Sequence, residues 1–302
     1  MKNFTAQSEL WRICHQFFKE KAGQYSEYHA KPMSRFVPTF KAPSSDIVKK
    51  FVNKVAAIDR LLVLTGAGVS TESGLPDYRS EKIGLFERSN YRPVTIQEFM
   101  VSESARKRFW SRNFLAWPKY SRAKCNKAHF AIASWERSDK AGSTLLTELH
   151  GCGHRVRCMQ CDDITSREEH QRTLEKMNAE WMKVNFPGEI APDGDVEVEE
   201  GAHESFVLPS CKKCGGILKT DVVFFGDNVA QEEVHICYEK LDECSGVLVL
   251  GSSLTVNSGF RFAYYANLQG KPVLIVNIGP TRADDFADMR ISVPVTEIIT
   301  ML

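Results

Sequence analysis

Four short apolar runs punctuate the chain, and each ends in a loop of small or polar residues. Leu61-Leu62-Val63-Leu64 runs into Thr65-Gly66-Ala67-Gly68, and Val222-Val223-Phe224-Phe225 stops at Gly226. Val247-Leu248-Val249-Leu250 runs into Gly251-Ser252-Ser253, and Val273-Leu274-Ile275-Val276 into Asn277-Ile278-Gly279. Runs this short cannot make a helix, and being apolar on both faces they predict buried parallel strands. Helical spacing lies around and between them. Ile47, Val48, Phe51, Val52, Val55 and Ile58 predict a helix from Asp46, capped by Ser45 or Asp46, with further helices near Gln231 to Leu241 and Ser258 to Leu268. Alternating strand and helix is the pattern of an α/β fold with a parallel sheet, where ligands bind beyond the carboxyl ends of the strands.

Residues 151 to about 217 have a different texture. Two Cys-x-x-Cys pairs enclose a polar stretch that holds Glu189, Asp193, Asp195, Glu197, Glu199, Glu200 and Glu204 and no Lys or Arg from 189 to 204, the composition of a solvated insertion with no catalytic role. At the other end, residues 1–43 carry seven basic residues against three acidic ones, with Phe4, Leu10, Trp11, Phe17 and Phe18 interspersed. A basic, amphipathic start of this kind predicts an organelle-import presequence outside the fold, a solvated tail being the alternative. The 302 residues suggest two domains, or one large domain with an inserted module. No run approaches the roughly 18 apolar residues of a membrane span, and a formal charge of +1 supplies no bulk field for nucleic acid or an anionic membrane. The expectation is no nucleic-acid partner and no membrane partner.

Candidate chemistry begins with the cysteines, nine in all. Cys158-x-x-Cys161 and Cys211-x-x-Cys214 offer four thiolates, a closed set that suits structural zinc, with Gly215-Gly216 giving the second turn its backbone freedom. The long separation between the pairs is tolerable because loop-closure cost grows only logarithmically. A redox pair or unligated thiols are the competing readings, and Cys152 and His154 lie near enough to substitute as ligands. Cys14, Cys125, Cys237 and Cys244 read as small apolar residues of the interior. Paired cysteines of this spacing predict a reducing compartment.

The loop Gly66-Ala67-Gly68-Val69-Ser70-Thr71-Glu72-Ser73-Gly74 follows a predicted strand and opens a helix, where unpaired N–H groups favour phosphate. Glycine spacing alone is weak evidence: Thr71 stands where a dinucleotide fingerprint has its third glycine, and no Gly-Lys-Ser/Thr follows. The continuation is more specific, with Leu75-Pro76-Asp77-Tyr78-Arg79-Ser80 next, His150-Gly151 just before the cysteines, and the two later strand-end loops.

Together these segments resemble the sirtuins, NAD-dependent protein deacylases and ADP-ribosyltransferases, from about residue 44 to the C-terminus. Pro76 to Lys82, Ala191-Pro192-Asp193-Gly194-Asp195-Val196 and Phe225-Gly226-Asp227 look most like the mitochondrial sirtuin-4 branch. The resemblance implies a Rossmann-like parallel-sheet domain (44–150 and 218–302) with an inserted small zinc-ribbon domain (151–217), a presequence over 1–43, and residence in the mitochondrial matrix. It implies NAD and zinc as cofactors and acyl-lysine proteins, mitochondrial enzymes among them, as partners. Gly66, Ala67, Gly68, Ser70 and Thr71 would then wrap the pyrophosphate, and Asp77, Tyr78 and Arg79 flank the nicotinamide. Gly251, Ser252 and Ser253 would contact phosphate and ribose, and Asn277, Ile278 and Gly279 the adenosine half, with Val295 near the adenine. His150 would be the base, since imidazole accepts a proton near neutral pH; the alternative is a surface histidine before a turn. The metal ligands would be Cys158, Cys161, Cys211 and Cys214. His129 reads as a structural residue at a helix start.

One departure stands out. Between Trp135 and Ala141-Gly142 the family carries a strand, a Thr-Gln-Asn-Val/Ile-Asp loop and a short helix, and here only Glu136-Arg137-Ser138-Asp139-Lys140 intervenes. Five polar residues cannot supply a buried strand and a cofactor loop. The expected function is lysine deacylation, of lipoyl-lysine and related groups, or ADP-ribosyl transfer, with activity depressed in this chain. A zinc-stabilised binding protein without catalysis and an NAD-dependent oxidoreductase are the alternatives.

Overall fold

In the computed structural model, Ser44 starts the first helix, its hydroxyl accepting the Ile47 N–H at 3.4 Å, one residue before the predicted cap. The structure describes residues 36–88, 92–137, 146–185, 196 and 201–302. Up to residue 35 the expected presequence lies outside the described residues, as do most of the acidic insertion and residues 138–145, whereas over 36–43, expected outside the fold, Phe36 is buried and Phe40 packs on the core of the sheet unit. In chain order the elements are α1 (Ser45–Ala56), β1 (Leu61–Thr65), a 3₁₀ turn (Ala67–Ser73), α2 (Leu85–Arg88), α3 (Ile96–Val101), α4 (Glu103–Tyr120), α5 (Lys127–Arg137) and β2 (Gly151–Cys158). Then follow β3 (Ile164–Ser166), α6 (Arg167–Met177), α7 (Ala179–Val184), a 3₁₀ turn (Ala202–Ser205), β4 (Leu218–Val222), α8 (Gln231–Glu243) and β5 (Gly246–Leu250). Last come α9 (Asn257–Leu268), β6 (Val273–Val276), β7 (Met289–Ile291), α10 (Val295–Ile298) and a closing 3₁₀ turn.

These elements form two compact units. The sheet unit takes the described residues within Met1–Arg88, Lys124–Thr147 and Ala230–Leu302; the cysteine unit takes those within Ser89–Ala123 and Glu148–Val229. The boundary differs from the one read in the sequence, because α3 and α4 pack with the cysteine-bearing segment. In the sheet unit the strands run in the order β1-β5-β6-β7, all parallel. Every residue of β5 and β6 is buried, as apolar runs flanked on both faces should be. Phe51 and Val55 of α1, Leu248 and Leu250 of β5, Leu274 and Val276 of β6, and Ile298 close one face into a single core.

The cysteine unit holds a three-stranded antiparallel sheet in the order β3-β2-β4. Here the sequence reading needs correcting. The run Val222 to Phe225 is not a strand of the parallel sheet; the strand ends at Val222 and pairs antiparallel with β2, while Phe224 packs its ring on Phe99 and Phe109 at 5.2 and 4.9 Å. An apolar run announces burial, but it does not say which neighbour provides it. Helix α4 buries Trp110, Phe114 and Trp117, and both indole N–H groups find acceptors, Leu218 O and Glu168 Oε2, each at 2.9 Å.

Among the described residues strand β1 sits at the sheet edge, although its sequence is that of an interior strand. Its residues Leu61 to Leu64 are only partly buried, unlike those of β5. Gly66 N–H bonds to Leu250 O at 3.0 Å, and residues of a parallel strand bond alternately to either side, so Leu61, Val63 and Thr65 aim their amides away from β5 and find no acceptor among the described residues. We expect hydrogen exchange at Val63 and Thr65 to be at least about tenfold faster than at Leu248 and Val249. Equal protection would mean that another segment covers this edge.

Candidate cofactor and metal sites

The glycine-rich loop after β1, the loop after β5 and the turn after β6 meet within the sheet unit. Gly68 N–H donates to Gly251 O at 2.9 Å, Gly251 N–H to Val276 O at 2.8 Å, and Arg282 N–H to Ser253 O at 3.0 Å. Backbone crosses backbone so closely that side chains are excluded. A Cβ on Gly66 would lie 2.6 Å from Gly251 O, one on Gly68 2.7 Å from the same atom, and one on Gly251, itself at φ +57°, 2.5 Å from Val69 N. Gly66 and Gly68 use their amides within the chain, whereas the Ala67 amide at the start of the 3₁₀ turn meets no acceptor among the described residues. An unspent N–H at a helical N-terminus is the donor that a phosphate needs.

Thr71 is buried, and its hydroxyl donates to Gly68 O at 2.9 Å, so it shapes the loop. Asp77 does similar work, its Oδ1 accepting the amides of Arg79 and Ser80 at 3.1 and 2.8 Å and its Oδ2 the Ser80 hydroxyl. Tyr78 lies against Phe86, ring centroids 5.3 Å apart, and the Arg79 guanidinium lies 5.4 Å from the Phe86 centroid. Ser252 Oγ accepts the Leu254 N–H at 3.2 Å, and the Asn277 side-chain amide donates to Ile278 O at 3.1 Å and Gly279 O at 3.3 Å. Val295 opens α10 with its side chain in the core, which leaves only backbone for a ligand.

A residue given only a structural role in the sequence reading proves to touch this site. His129 Nε2 lies 3.4 Å from Ser70 Oγ, and Asn126, which caps α5 by accepting the Ala128 N–H, holds Val69 O through its side-chain amide at 2.7 Å. Asn126 and His129 thus fasten the glycine-rich loop to the start of α5. The one available signal was their spacing in Cys125-Asn126-Lys127-Ala128-His129, a helix-start pattern. Burial pushes the His129 pKa down to about 4. The folded value lies below the unfolded one of about 6.5, so the unfolded chain binds more protons in this window, and stability present above pH 6.5 is lost as pH falls. We expect the sheet unit to lose about 1 kcal/mol per pH unit between 6.5 and 4 in urea titrations, and His129→Gln to flatten that slope. An unchanged slope in the variant would sink the assignment.

In the cysteine unit, His150 is exposed on the turn closed by Gly151 N–H to Glu148 O at 2.7 Å, and its own carbonyl accepts the Val223 N–H at 2.9 Å. Asp221 braces the strand that follows, accepting Arg155 Nε and Arg157 Nε at 2.8 Å each, while Arg155 also reaches Glu148 at 3.3 Å. Burial, opposed by the Arg155 charge, raises the Glu148 pKa.

The four paired cysteines converge in the same unit. Their sulfurs lie within 4.8 Å of one another, Cys158 to Cys214 at 3.4 Å and Cys161 to Cys211 at 3.7 Å. Thiolates bound tetrahedrally to zinc at about 2.3 Å are about 3.8 Å apart, so the set fits that ion. Hydrogen bonding with Cys161 pushes the Cys214 thiol up to about 12. Cys152 and His154 stand outside the group. Of the remaining cysteines that the structure describes, Cys244 is buried as expected, whereas Cys125 and Cys237 are only half-buried.

Comparison with known proteins follows the same lines. Residues 66–258 match the Sir2 family model. The chain is 45% identical over 281 residues to the NAD-dependent protein deacylase sir-2.2 of Caenorhabditis elegans, covering 88% of this chain and 98% of that protein. It is 40% identical to the human mitochondrial NAD-dependent protein lipoamidase sirtuin-4, covering 94% and 96% of the two chains. A Sir2 structure from a study of the mechanism and regulation of Sir2 enzymes is 26% identical with a TM-score of 0.60, over 85% of this chain and 96% of that one. Sir2Tm bound to a propionylated peptide gives 25% identity and a TM-score of 0.60, over 84% and 95%. With a matching family model and relatives aligned along nearly their whole length, the chain belongs to the Sir2 family.

Proposed function

We propose that this chain is an NAD-dependent protein-lysine deacylase of the sirtuin-4 type, acting on acyl-lysine in proteins, with lipoyl-lysine as the leading substrate class. The observation that carries the reading is the meeting of three strand-end loops in the sheet unit, crossing so tightly that only glycine fits at Gly66, Gly68 and Gly251. Around them stand a spare amide at Ala67 and the hydroxyls of Ser70, Ser252 and Ser253 for the pyrophosphate and ribose. Asn277, Ile278 and Gly279 take the adenosine half. Asp77, Tyr78, Arg79 and Val295 complete the cofactor contacts. Bound NAD would supply an electrophilic ribose carbon for the acyl oxygen, with nicotinamide as the leaving group. His150 takes the proton from a ribose hydroxyl, a task for a side chain that titrates near neutrality. The cysteine unit uses zinc as a structural ion held by Cys158, Cys161, Cys211 and Cys214. The relatives named for mitochondria support a mitochondrial location, and the reading extends it to the matrix, with mitochondrial proteins as substrates. ADP-ribosyl transfer to protein would use the same cofactor contacts.

A second reading, binding without turnover, is favoured by the edge position of β1. The family's interior strand and its Gln-Asn-x-Asp loop are absent between Trp135 and Ala141, and an interior-type strand is left as an edge. The alignment with sir-2.2 also runs longer than the part of this chain it covers, so the relative carries positions this chain lacks. We expect the 302-residue chain to release nicotinamide from NAD and a lipoyl-lysine peptide at least about 100-fold more slowly than a version with that unit restored. Equal rates would defeat the second reading. Failure of the restored version to release nicotinamide, or its production of NADH instead, would defeat the first.

A further inference from the structure

Leu254 is a buried leucine in the left-handed region, at φ +55°, three residues beyond the left-handed Gly251. A β-carbon disfavours that conformation, which persists only where its surroundings over-determine it. The carbonyls of the residues on either side of Leu254 are held by one residue. Arg282 donates its backbone N–H to Ser253 O at 3.0 Å and its Nη1 to Thr255 O at 3.4 Å. Nη1 also donates to Asn257 Oδ1, at the first residue of α9. The guanidinium carbon lies 3.8 Å from the centroid of Phe260, whose ring stacks on Tyr264 at 5.8 Å and 22° and meets Phe286 at 6.0 Å. A planar cation laid on an aromatic face has few other orientations, so its donors are aimed before any ligand arrives.

Arg282 also follows directly on the loop that begins at Asn277, opening the turn over 282–286. Arg290 fixes the other side of that loop, donating Nη1 to Gly279 O at 2.8 Å and pairing through Nε with Asp284 at 3.3 Å. The strained loop after β5 and the turn after β6 are therefore tied together by Arg282. We propose that Arg282 is a positioning residue for the adenosine half of the dinucleotide, holding Ser252 and Ser253 at a fixed distance from Asn277 and Gly279. The proposal rests on the cofactor reading of those two loops and deepens it. None of the local sequence around Arg282 signals the role, because the groups it holds lie more than 20 positions earlier in the chain.

The test is calorimetric titration of the full chain with ADP-ribose, alongside R282A and R282K, with hydrogen exchange followed at 252–255 without ligand. R282A is expected to bind ADP-ribose at least about tenfold more weakly and to exchange faster at those amides, with its melting midpoint essentially unchanged. R282K should recover only part of the affinity, since an ammonium can neither lie flat on Phe260 nor reach both acceptors. Wild-type affinity in R282A overturns the positioning role, as does weaker binding that comes with general destabilisation and no change confined to 252–255. Failure of the wild-type chain to bind ADP-ribose overturns the cofactor reading, and the positioning role with it.

Discussion

Removing zinc with a strong chelator should unfold the cysteine unit, and replacing Cys211 with serine should do the same without chelator. Apart from a metal, the turns that present the sulfurs are held by a small set of hydrogen bonds, among them Cys158 N–H to Asp163 O at 2.9 Å, Asp162 N–H to Cys158 O at 3.1 Å and Ile217 N–H to Gln160 Oε1 at 2.6 Å. Cys211 N–H donates to Gly216 O at 2.9 Å and Gly215 N–H to Cys211 O at 2.8 Å, while Met159 N–H reaches Ile217 O at 2.8 Å. Asp162 and Gly215 both take positive φ, at +56° and +75°. Four thiols crowded within 4.8 Å repel one another once they ionise, and a divalent cation turns that repulsion into ligation. Structural zinc contributes on the order of 10 kcal/mol in small metal-folded peptides, so loss of most of the unit's stability is the expected scale. The measurement is one zinc per chain by elemental analysis, followed by near-UV circular dichroism of Trp110, Trp117 and Trp181 as chelator is added. Cys125→Ser and Cys237→Ser serve as controls and should change nothing. A chain that carries no zinc and melts identically with and without chelator would defeat the assignment.

Replacing Gly151 with alanine is expected to be nearly as damaging. Gly151 sits at φ +79°, and a Cβ there would lie 2.1 Å from Asp221 O, a backbone atom with no rotamer to move. The left-handed backbone alone costs a non-glycine residue about 1–2 kcal/mol, and relieving the overlap means separating β2 from β4, which are paired at Gly151 and Val222. We expect a loss of at least about 3 kcal/mol of stability, or displacement of the His150 turn that abolishes nicotinamide release. Urea denaturation measures the first and a nicotinamide assay the second. Wild-type behaviour in both would mean that the turn is far more pliant than its geometry. Gly74, at a comparable φ of +87° with nothing within 4 Å of its Cβ position, isolates the conformational cost alone, and Gly74→Ala should cost correspondingly less.

Much of this could be read along the chain. β1, β5 and β6 fall on their apolar runs, and α8 and α9 extend the expected helices by no more than two residues at either end. Each of those strands is followed by the Gly, Ser or Asn loop that the sequence places there, because apolar periodicity and turn residues act over only a few positions. The cysteine group was legible for the same reason, since Cys-x-x-Cys sets two ligands by local geometry and the doubling supplies four. Phe224 shows where this stops. Its run is as apolar as that of β5, yet its ring packs on Phe99 and Phe109, and the strand beside it pairs antiparallel with β2.

The sequence by itself determined the strands β1, β5 and β6, where the glycines of their loops must stand and which sulfurs pair off, because each depends on residues a few positions apart. Only the tertiary structure decided that β1 is an edge, that α3 and α4 join the cysteine unit, that Asn126 and His129 brace the loop carrying Ser70, and that Arg282 holds Leu254 in its strained conformation. Those outcomes depend on strand partners and hydrogen bonds spanning from about 25 to more than 180 positions, and a distant pairing leaves no periodic trace in the chain that makes it.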